Sequence, residues 1–387
     1  MTRVSGAWLR DPAAQAVFDA LERGGFHAYA VGGCVRNAFF GAPVSDLDIA
    51  TDATPDETTA AVTAAGLRAV PTGADHGTIT VVSEGQGFEV TTFRADLETD
   101  GRRAVVRFST DMTEDAERRD FTMNALYADR HGTVIDPLGG LADLEARRVR
   151  FVGDAGARIR EDYLRTLRFF RFSAWYGDPA QGFDPDALDA IARNLEGLEG
   201  LSRERVGAEL LKLLGAPDPA PAMSAMQATG ALGPLLPGSD PRALAPLVHL
   251  EGERAVSPEP LRRLAALGDI DGKGLRLSKA QSRRLEMLRG GVASADDPAV
   301  LGYRHGAEAA RDILLLRAAL LEQPLAPAAF DAATDGAART FPLTAKDLMP
   351  ALSGPALGRA LDSLEADWIA SGFALNRADL LARAPKA

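Results

Sequence analysis

The chain has 387 residues, a formal net charge of −11, and 46% hydrophobic and 25% charged residues. That length exceeds one compact core and predicts two or more globular modules, while the acidic balance excludes binding nucleic acid through bulk positive charge and leaves only local basic faces for it. No stretch of ~18 apolar residues suits a membrane helix and the first residues lack the apolar run of a secretory signal, so the cytoplasm is the expected compartment. The single cysteine, Cys34, excludes a disulfide framework, and it is expected to pack rather than react. Five scattered histidines make no paired ligand spacing, so any metal should be held by oxygen.

In chain order, residues 27–31 predict a strand, Gly32-Gly33 a tight turn, and residues 34–40 a short helix stopped by Gly41. Asp46 and Asp48 alternate with Leu47 and Ile49, the pattern of a half-buried strand. Thr54-Pro55-Asp56-Glu57 is a capping box with proline in the first turn, opening a helix that ends near Gly66. Residues 77–82 and 88–93 read as a hairpin across Glu84 to Gly87, and a shorter hairpin follows around Arg130-His131-Gly132. His76, beside Gly77, is expected to shape a turn. Residues 94–112, charged and without clear periodicity, read as a long mobile functional loop. From Asp154 onward helical periodicity dominates: Leu164, Leu167, Phe170 and Ala174 mark one apolar stripe, and Ser278 to Gln281 is a second capping box. An α/β head followed by an all-α remainder is the expected organisation.

Side chains alternate across a strand, so Asp46 and Asp48 should project to the same side and grip a divalent cation together. Glu89 adds a third carboxylate if its strand lies beside theirs. Such oxygen-rich sites suit phosphoryl transfer, which needs positioning and charge neutralisation above all. Gly32 and Gly33 allow close backbone approach to a phosphate at the start of a helix, with Arg36 adding charge. Taken alone, each of these short patterns is more often a plain turn or a solvated strand edge.

Together, the segment YAVGGCVRNAFFGAPVSDLDIAT resembles the signature of the class II CCA-adding enzyme and bacterial poly(A) polymerase family. Further segments stand in that family's order. RRDFTMNAL, residues 118–126, is similar to its sugar and triphosphate-binding segment and implies roles for Arg119, Asp120 and Asn124. DPLGGLADL, residues 136–144, resembles the link from head to neck; EDYLRTLRFFRF, residues 161–172, resembles the base-selecting segment; LSRERVGAEL, residues 201–210, resembles a later neck motif. The resemblance spans roughly the first 210 residues. One departure is Asn37, where many members carry aspartate; it keeps an acceptor, gains donors and loses a charge.

The resemblance implies an α+β fold: a nucleotidyltransferase head with a mixed β-sheet over residues 1–145, a helical neck with the nucleotide-selecting segment over 146–215, and a helical body and tail over 216–387 that binds tRNA. It implies CTP and ATP as substrates, the tRNA 3′ end as acceptor and Mg2+ as cofactor, with Asp46 and Asp48 as metal ligands. Addition of the full CCA end is the expected activity. A poly(A) polymerase, a CC-only or an A-only enzyme are the alternatives within the family, and a non-catalytic RNA-binding protein is the alternative outside it. Asp162 and Arg165, three residues apart, would lie on one helical face and read the Watson-Crick edge of the incoming base; an ordinary surface ion pair is the plainer reading of that spacing. Arg158, Arg168 and Arg171 extend the basic face toward triphosphate or RNA. Lys273, Arg276, Lys279, Arg283, Arg284 and Arg289 form a second basic cluster for the tRNA backbone.

Overall fold

The computed structural model describes residues 2–100 and 103–385. Residues 1–241 with 274–276 form one compact unit, and 242–273 with 277–387 form another. The mixed α+β class expected from the pattern is the class observed.

The first unit is built on strands β1 (Ala28–Val31), β2 (Asp48–Thr51), β3 (Arg68–Gly73), β4 (Thr78–Ser83), β5 (Gln86–Thr92), β8 (Tyr127–Ala128) and β9 (Val134–Ile135), with β6 (Arg94–Asp100) and β7 (Arg103–Phe108) apart from them. The seven strands run in the order β3-β4-β5-β2-β1-β8-β9. β2 and β5 are parallel and every other neighbouring pair is antiparallel. The hairpin between β4 and β5 turns on Glu84 and Gly85, both at positive φ (49° and 81°), the two-residue turn whose twist matches its strands. Helices Pro12–Arg23 and Pro55–Ala64 pack together and on this sheet. The second of these opens with the expected Thr54–Glu57 capping box.

Two local expectations fail. Residues 94–112 are not a loop: β6 and β7 pair antiparallel as a separate two-stranded sheet, and Met112 already starts helix Met112–Glu117. The strand expected from Asp46 starts only at Asp48, so Asp46 and Leu47 lie on its approach.

Beyond the sheet, helix Gly140–Glu145 is capped by Asp136, whose carboxylate accepts from the amides of Gly140 and Leu141 at 2.8 and 2.9 Å. The 3-10 turn Thr122–Asn124 packs directly on it. A Cβ at Gly140 would stand 2.2 Å from the Thr122 carbonyl oxygen. In helix Leu164–Tyr176, Leu164, Leu167 and Phe170 are buried as the stripe requires, and Phe169 and Phe172 join Phe121 and Phe151 in an aromatic core.

The second unit is helical. Its core holds two almost fully buried arginines: Arg262 pairs with Glu251 and Asp312 at 2.7 and 2.6 Å, and Arg263 with Glu251 at 2.7 Å. Two positive and two negative charges so placed leave no ion uncompensated. Of the basic cluster, Arg284 turns to Asp312 and Glu308, and Arg289 to Asp269 and the Gly268 carbonyl; Lys279 and Arg283 stay exposed. Ser278 and Gln281 form the expected capping box.

Because backbone, not a flexible side chain, occupies the space beside Gly140, Gly140→Ala should lower the unfolding free energy by about 1–3 kcal/mol, read as a lower thermal midpoint of the intact chain.

Candidate active site

The parallel pairing of β2 with β5 sets Asp48 opposite Glu89 in register. The third carboxylate therefore lies next to the second, as the strand adjacency required. Asp46 stands two residues earlier, accepting from its neighbour Ser45 at 2.8 Å. All three carboxylates line one cleft of about 960 Å³, with Trp8, Asp11 and Gln86 on its walls. A larger cleft of about 1120 Å³, lined by Arg150, Arg158, Asp154 and Asn194 among others, contains none of the three. The carboxylates, not cleft size, mark where phosphoryl chemistry could occur.

Withdrawal from water pushes the Asp48 carboxyl above the usual aspartate range. The charges of Glu89 and Asp46 add to this, and Arg119 opposes it. Mutually repelling oxygen donors of this kind fit a hard divalent cation, which removes the repulsion. Among the described residues, no group of three or more acidic, histidine or cysteine side chains closes into a cage, so ligands from outside the protein would complete the shell.

Gly32 adopts φ +73° and ψ −115° ahead of helix Gly33–Phe39. A Cβ there would lie at ordinary contact distance, 3.4 Å from Arg119 Nη1 and 3.5 Å from the Asn124 carbonyl oxygen, so it is the backbone conformation that calls for glycine. Cys34 is buried behind this turn, and burial pushes its thiol up to about 12, which suits packing rather than nucleophilic attack.

Arg119 is aimed by residues that the sequence pattern did not single out. It donates to Asp115 at 2.9 Å and to the Tyr127 hydroxyl at 3.2 Å, while Tyr127 donates to Asp115 at 2.7 Å. Asp115 also receives Arg118 at 2.8 Å and is 1% exposed. Burial alone would raise its pKa, but Arg119 and Arg118 hold it below the usual range. An acidic residue within helix Met112–Glu117 carries no sequence mark of burial; only its spacing of four residues from Arg119 hinted at the pair.

Asp120 is likewise buried. Its carboxylate accepts from Asn124 at 2.9 Å and from Arg168 Nε at 2.8 Å. Burial would raise it, yet Arg168 and Asn124 hold it low. Asn124 in turn accepts from Arg36 Nη1 at 2.5 Å. Arg36, Asn124, Asp120 and Arg168 thus form one chain of contacts. Arg36 also donates to Asn37 Oδ1 at 2.9 and 3.2 Å, and Asn37 donates to the Pro43 carbonyl at 2.9 Å.

The base-selecting segment departs from the expected geometry. Asp162 and Arg165 do not share a helix: Ala155–Glu161 ends, Asp162 is extended at φ −152°, and a new helix starts at Leu164. Asp162 accepts from the Leu164 amide at 3.1 Å, a local bond that competes with continuing the helix. Its other oxygen accepts from Arg205 at 2.5 Å. Arg165 pairs instead with Glu161 and donates to the Arg158 carbonyl at 3.0 Å; Glu161 also pairs with Arg158 at 2.6 Å. Arg158 donates to the Glu117 carbonyl at 3.1 Å, which ties this segment to the start of the Arg118–Asn124 stretch. Arg171 is drawn to Glu209 at 2.6 Å.

A mixed sheet whose β1 runs into a glycine turn and whose neighbouring β2 sets Asp48 in register with Glu89 defines a nucleotidyltransferase-type head. Residues 28–150 match the family model of the poly A polymerase head domain, and residues 182–242 match one described as "Probable RNA and SrmB- binding site of polymerase A". The chain is similar to the CCA-adding enzyme of Geobacillus thermodenitrificans, 44% identical over 234 residues that cover 59% of this chain and 56% of that protein. It is also similar to human CCA tRNA nucleotidyltransferase 1, mitochondrial, 47% identical over 184 residues covering 47% and 42%. The match thus spans about half the length of these curated relatives. The crystal structure of the Bacillus stearothermophilus CCA-adding enzyme in complex with CTP superposes with TM-score 0.72 at 28% identity over 93% of each chain. The Thermotoga maritima CCA-adding enzyme complexed with tRNA shares the fold at TM-score 0.69 and 16% identity, over 99% and 98%. Residues 28–150 thus carry the poly A polymerase head domain, and the likeness to CCA-adding enzymes supports the CCA-adding enzyme and poly(A) polymerase family of nucleotidyltransferases, whose members are generally metal-dependent. No helix among the described residues is long and apolar enough to cross a membrane.

Two outcomes follow from these charges. Asp115→Asn leaves Arg119 without its carboxylate and should cost about 3–5 kcal/mol of stability, measured by denaturant unfolding. Asp115 and Asp120 sit low when folded, so their contribution is present above the unfolded aspartate pKa of ~3.9 and is lost as pH falls through the folded values; the variant should show a shallower acid limb. At the carboxylate cleft the sign reverses. Because Asp48 is raised, protons compete there at higher pH than at an ordinary aspartate, and calorimetric affinity for a divalent cation should weaken on mild acidification while stability does not.

Proposed function

We propose that the chain adds C, C and A to the 3′ end of tRNA from CTP and ATP without a nucleic-acid template, releasing pyrophosphate at each step. The observation that carries this is the register of Asp48 with Glu89, beside Arg119 and the Gly32 turn, in a head whose relatives are named CCA-adding enzymes. In each transfer the primer 3′ oxygen bonds to the α-phosphorus, the bond from that phosphorus to the pyrophosphate oxygen breaks, and the hydroxyl proton is lost. Asp46 and Asp48 would hold Mg2+, which supplies charge neutralisation at the phosphates when bound. Glu89 would orient the primer hydroxyl. The amides at Gly32 and Gly33 offer donors to the triphosphate, and Arg119, fixed by Asp115 and Tyr127, adds charge on the same side. Asp120 and Asn124 would shape the sugar site, with Arg168 holding Asp120.

For base choice, Asp162 offers an acceptor to the exocyclic amine that cytosine and adenine share, and Arg165 a donor to a ring acceptor. Arg205 and Glu161 hold these two groups in the free protein, and the base would take the place of those partners. Arg158 braces the segment. Residues 1–145 serve as catalytic head and 146–215 as nucleotide-selecting neck in this reading. Residues 216–387 engage tRNA through exposed groups such as Lys279 and Arg283, and the cytoplasm is the assigned compartment.

The test supplies CTP and ATP, separately and together with Mg2+, to tRNA trimmed of its last three nucleotides. Two cytidines, one adenosine and then arrest are expected. A long adenosine tail would replace this reading by a poly(A) polymerase, addition of C or A alone by a partial enzyme, and no incorporation by a binding protein. Asp46→Ala should reduce incorporation at least a hundredfold, with tRNA binding and the thermal midpoint retained.

A further inference from the structure

The cleft that holds the three carboxylates is lined by none of the groups around the glycine turn: Gly32, Arg119, Asp120 and Asn124 all lie outside its walls. The strand order explains this. β2 lies between β1, which runs into the turn, and β5, which begins at Gln86, ahead of its Asp48–Glu89 pairing. The turn therefore flanks Asp48 on one side, and Glu89 with Gln86 flanks it on the other. The cleft lies on the second side, and one of its walls is formed by residues 7–8 and 10–12. Leu9 anchors that wall: it is buried, and its carbonyl accepts from Gln15 at 2.7 Å. Asp11 caps helix Pro12–Arg23, accepting from the Ala13 amide at 3.0 Å, and its other oxygen accepts from Gln86 at 3.4 Å, which ties the wall to the strand of Glu89. Trp8 and Arg10 stand on either side of Leu9. Trp8 is half-buried and its indole lies over Gly6, where a Cβ would stand 2.4 Å from Nε1. Among the described residues its N–H has no acceptor and its ring no aromatic or cationic neighbour. Arg10 is exposed and, among the described residues, in no ion pair, although the carboxylates line the same cleft.

We propose that Trp8 and Arg10 bind the single-stranded 3′ end of the acceptor RNA, Trp8 stacking on its terminal base and Arg10 meeting a backbone phosphate. This rests on the nucleotide-transfer reading above. In-line displacement puts the attacking oxygen and the departing pyrophosphate on opposite sides of the α-phosphorus. With the triphosphate on the glycine-turn side, the attacking hydroxyl comes from the Glu89 side, where this cleft lies. Its volume of about 960 Å³ admits a terminal nucleotide. Asp46, Asp48 and Glu89 repel RNA phosphates, so the acceptor needs an attraction that does not depend on charge, together with a cation of its own. An aromatic ring stacks on any base, because every base has a π-face. That tolerance suits an acceptor whose last base changes as nucleotides are added. Arg10 supplies the cation. Held by base and backbone, the 3′ hydroxyl is directed at Asp48 and Glu89 while the incoming nucleotide keeps its own site.

The experiment measures kcat/KM for trimmed tRNA at saturating CTP, and KM for CTP at saturating tRNA, in wild type, Trp8→Ala, Trp8→Phe and Arg10→Gln. Trp8→Ala should lower kcat/KM for tRNA about tenfold, within the worth of one base–aromatic stack, with KM for CTP unchanged. Trp8→Phe keeps a ring and should stay within about threefold of wild type. Arg10→Gln should reduce the slope of log kcat/KM for tRNA against log salt concentration by about 1, the loss of one phosphate contact. A raised KM for CTP with the tRNA parameters intact would put the nucleotide in this cleft and overturn the proposal. Trp8→Phe as impaired as Trp8→Ala would mark a merely structural side chain and overturn it too, as would tRNA parameters unchanged in every variant. Should Trp8→Ala fail to fold, Arg10→Gln decides by its salt slope. A wild type that adds no nucleotide sinks the transfer reading and this proposal together, whereas an active wild type with insensitive variants sinks the proposal alone.

Discussion

Like charges held on neighbouring strands repel, and the placement of Asp48 against Glu89 is the constraint around which the first unit is arranged. Their strands are the one parallel pair in an otherwise antiparallel sheet, so after β2 the chain crosses through helix Pro55–Ala64 and runs along the sheet edge as β3 and β4 before β5 comes to lie beside β2. The repulsion is tolerable because Arg119 stands nearby, and Arg119 is held there by two groups that water cannot replace, Asp115 and Tyr127. In a low-dielectric setting such preorganised charge acts strongly without rearrangement at the moment of reaction.

The same logic runs outward as alternating charges and amides. Asp120 is kept ionised by Arg168 and Asn124, and Asn124 is kept in place by Arg36. Each buried polar group is satisfied by the next, so the network behaves as a unit. Aromatic rings of helix Leu164–Tyr176 close it on one side, where Phe172 lies within 5.4 Å of the guanidinium carbons of Arg36, Arg168 and Arg171. The second unit uses balanced charge in a different way: Arg262 and Arg263 are consumed by Glu251 and Asp312 within the core, and part of the apparent basic cluster is drawn inward rather than offered to a ligand.

Much of this was legible in the sequence where local chemistry dictates local structure. The capping boxes at Thr54 and Ser278, the glycine turn at Gly32 and the β4–β5 hairpin follow from side chains bonding their own backbone or from positive φ, which distant contacts do not alter. The carboxylate pattern and the ordered motifs identified the kind of site. Tertiary structure alone decided the rest. It made Glu89 the neighbour of Asp48, ended the helix at Glu161 so that Asp162 faces Arg205, paired Arg94–Asp100 with Arg103–Phe108 as strands, and withdrew Asp115 and Arg36 from water. The reason is that sequence spacing fixes which groups can meet along one element, whereas the fate of a charge depends on burial and on partners far along the chain: Tyr176 for Arg36, Arg168 for Asp120, Arg205 for Asp162.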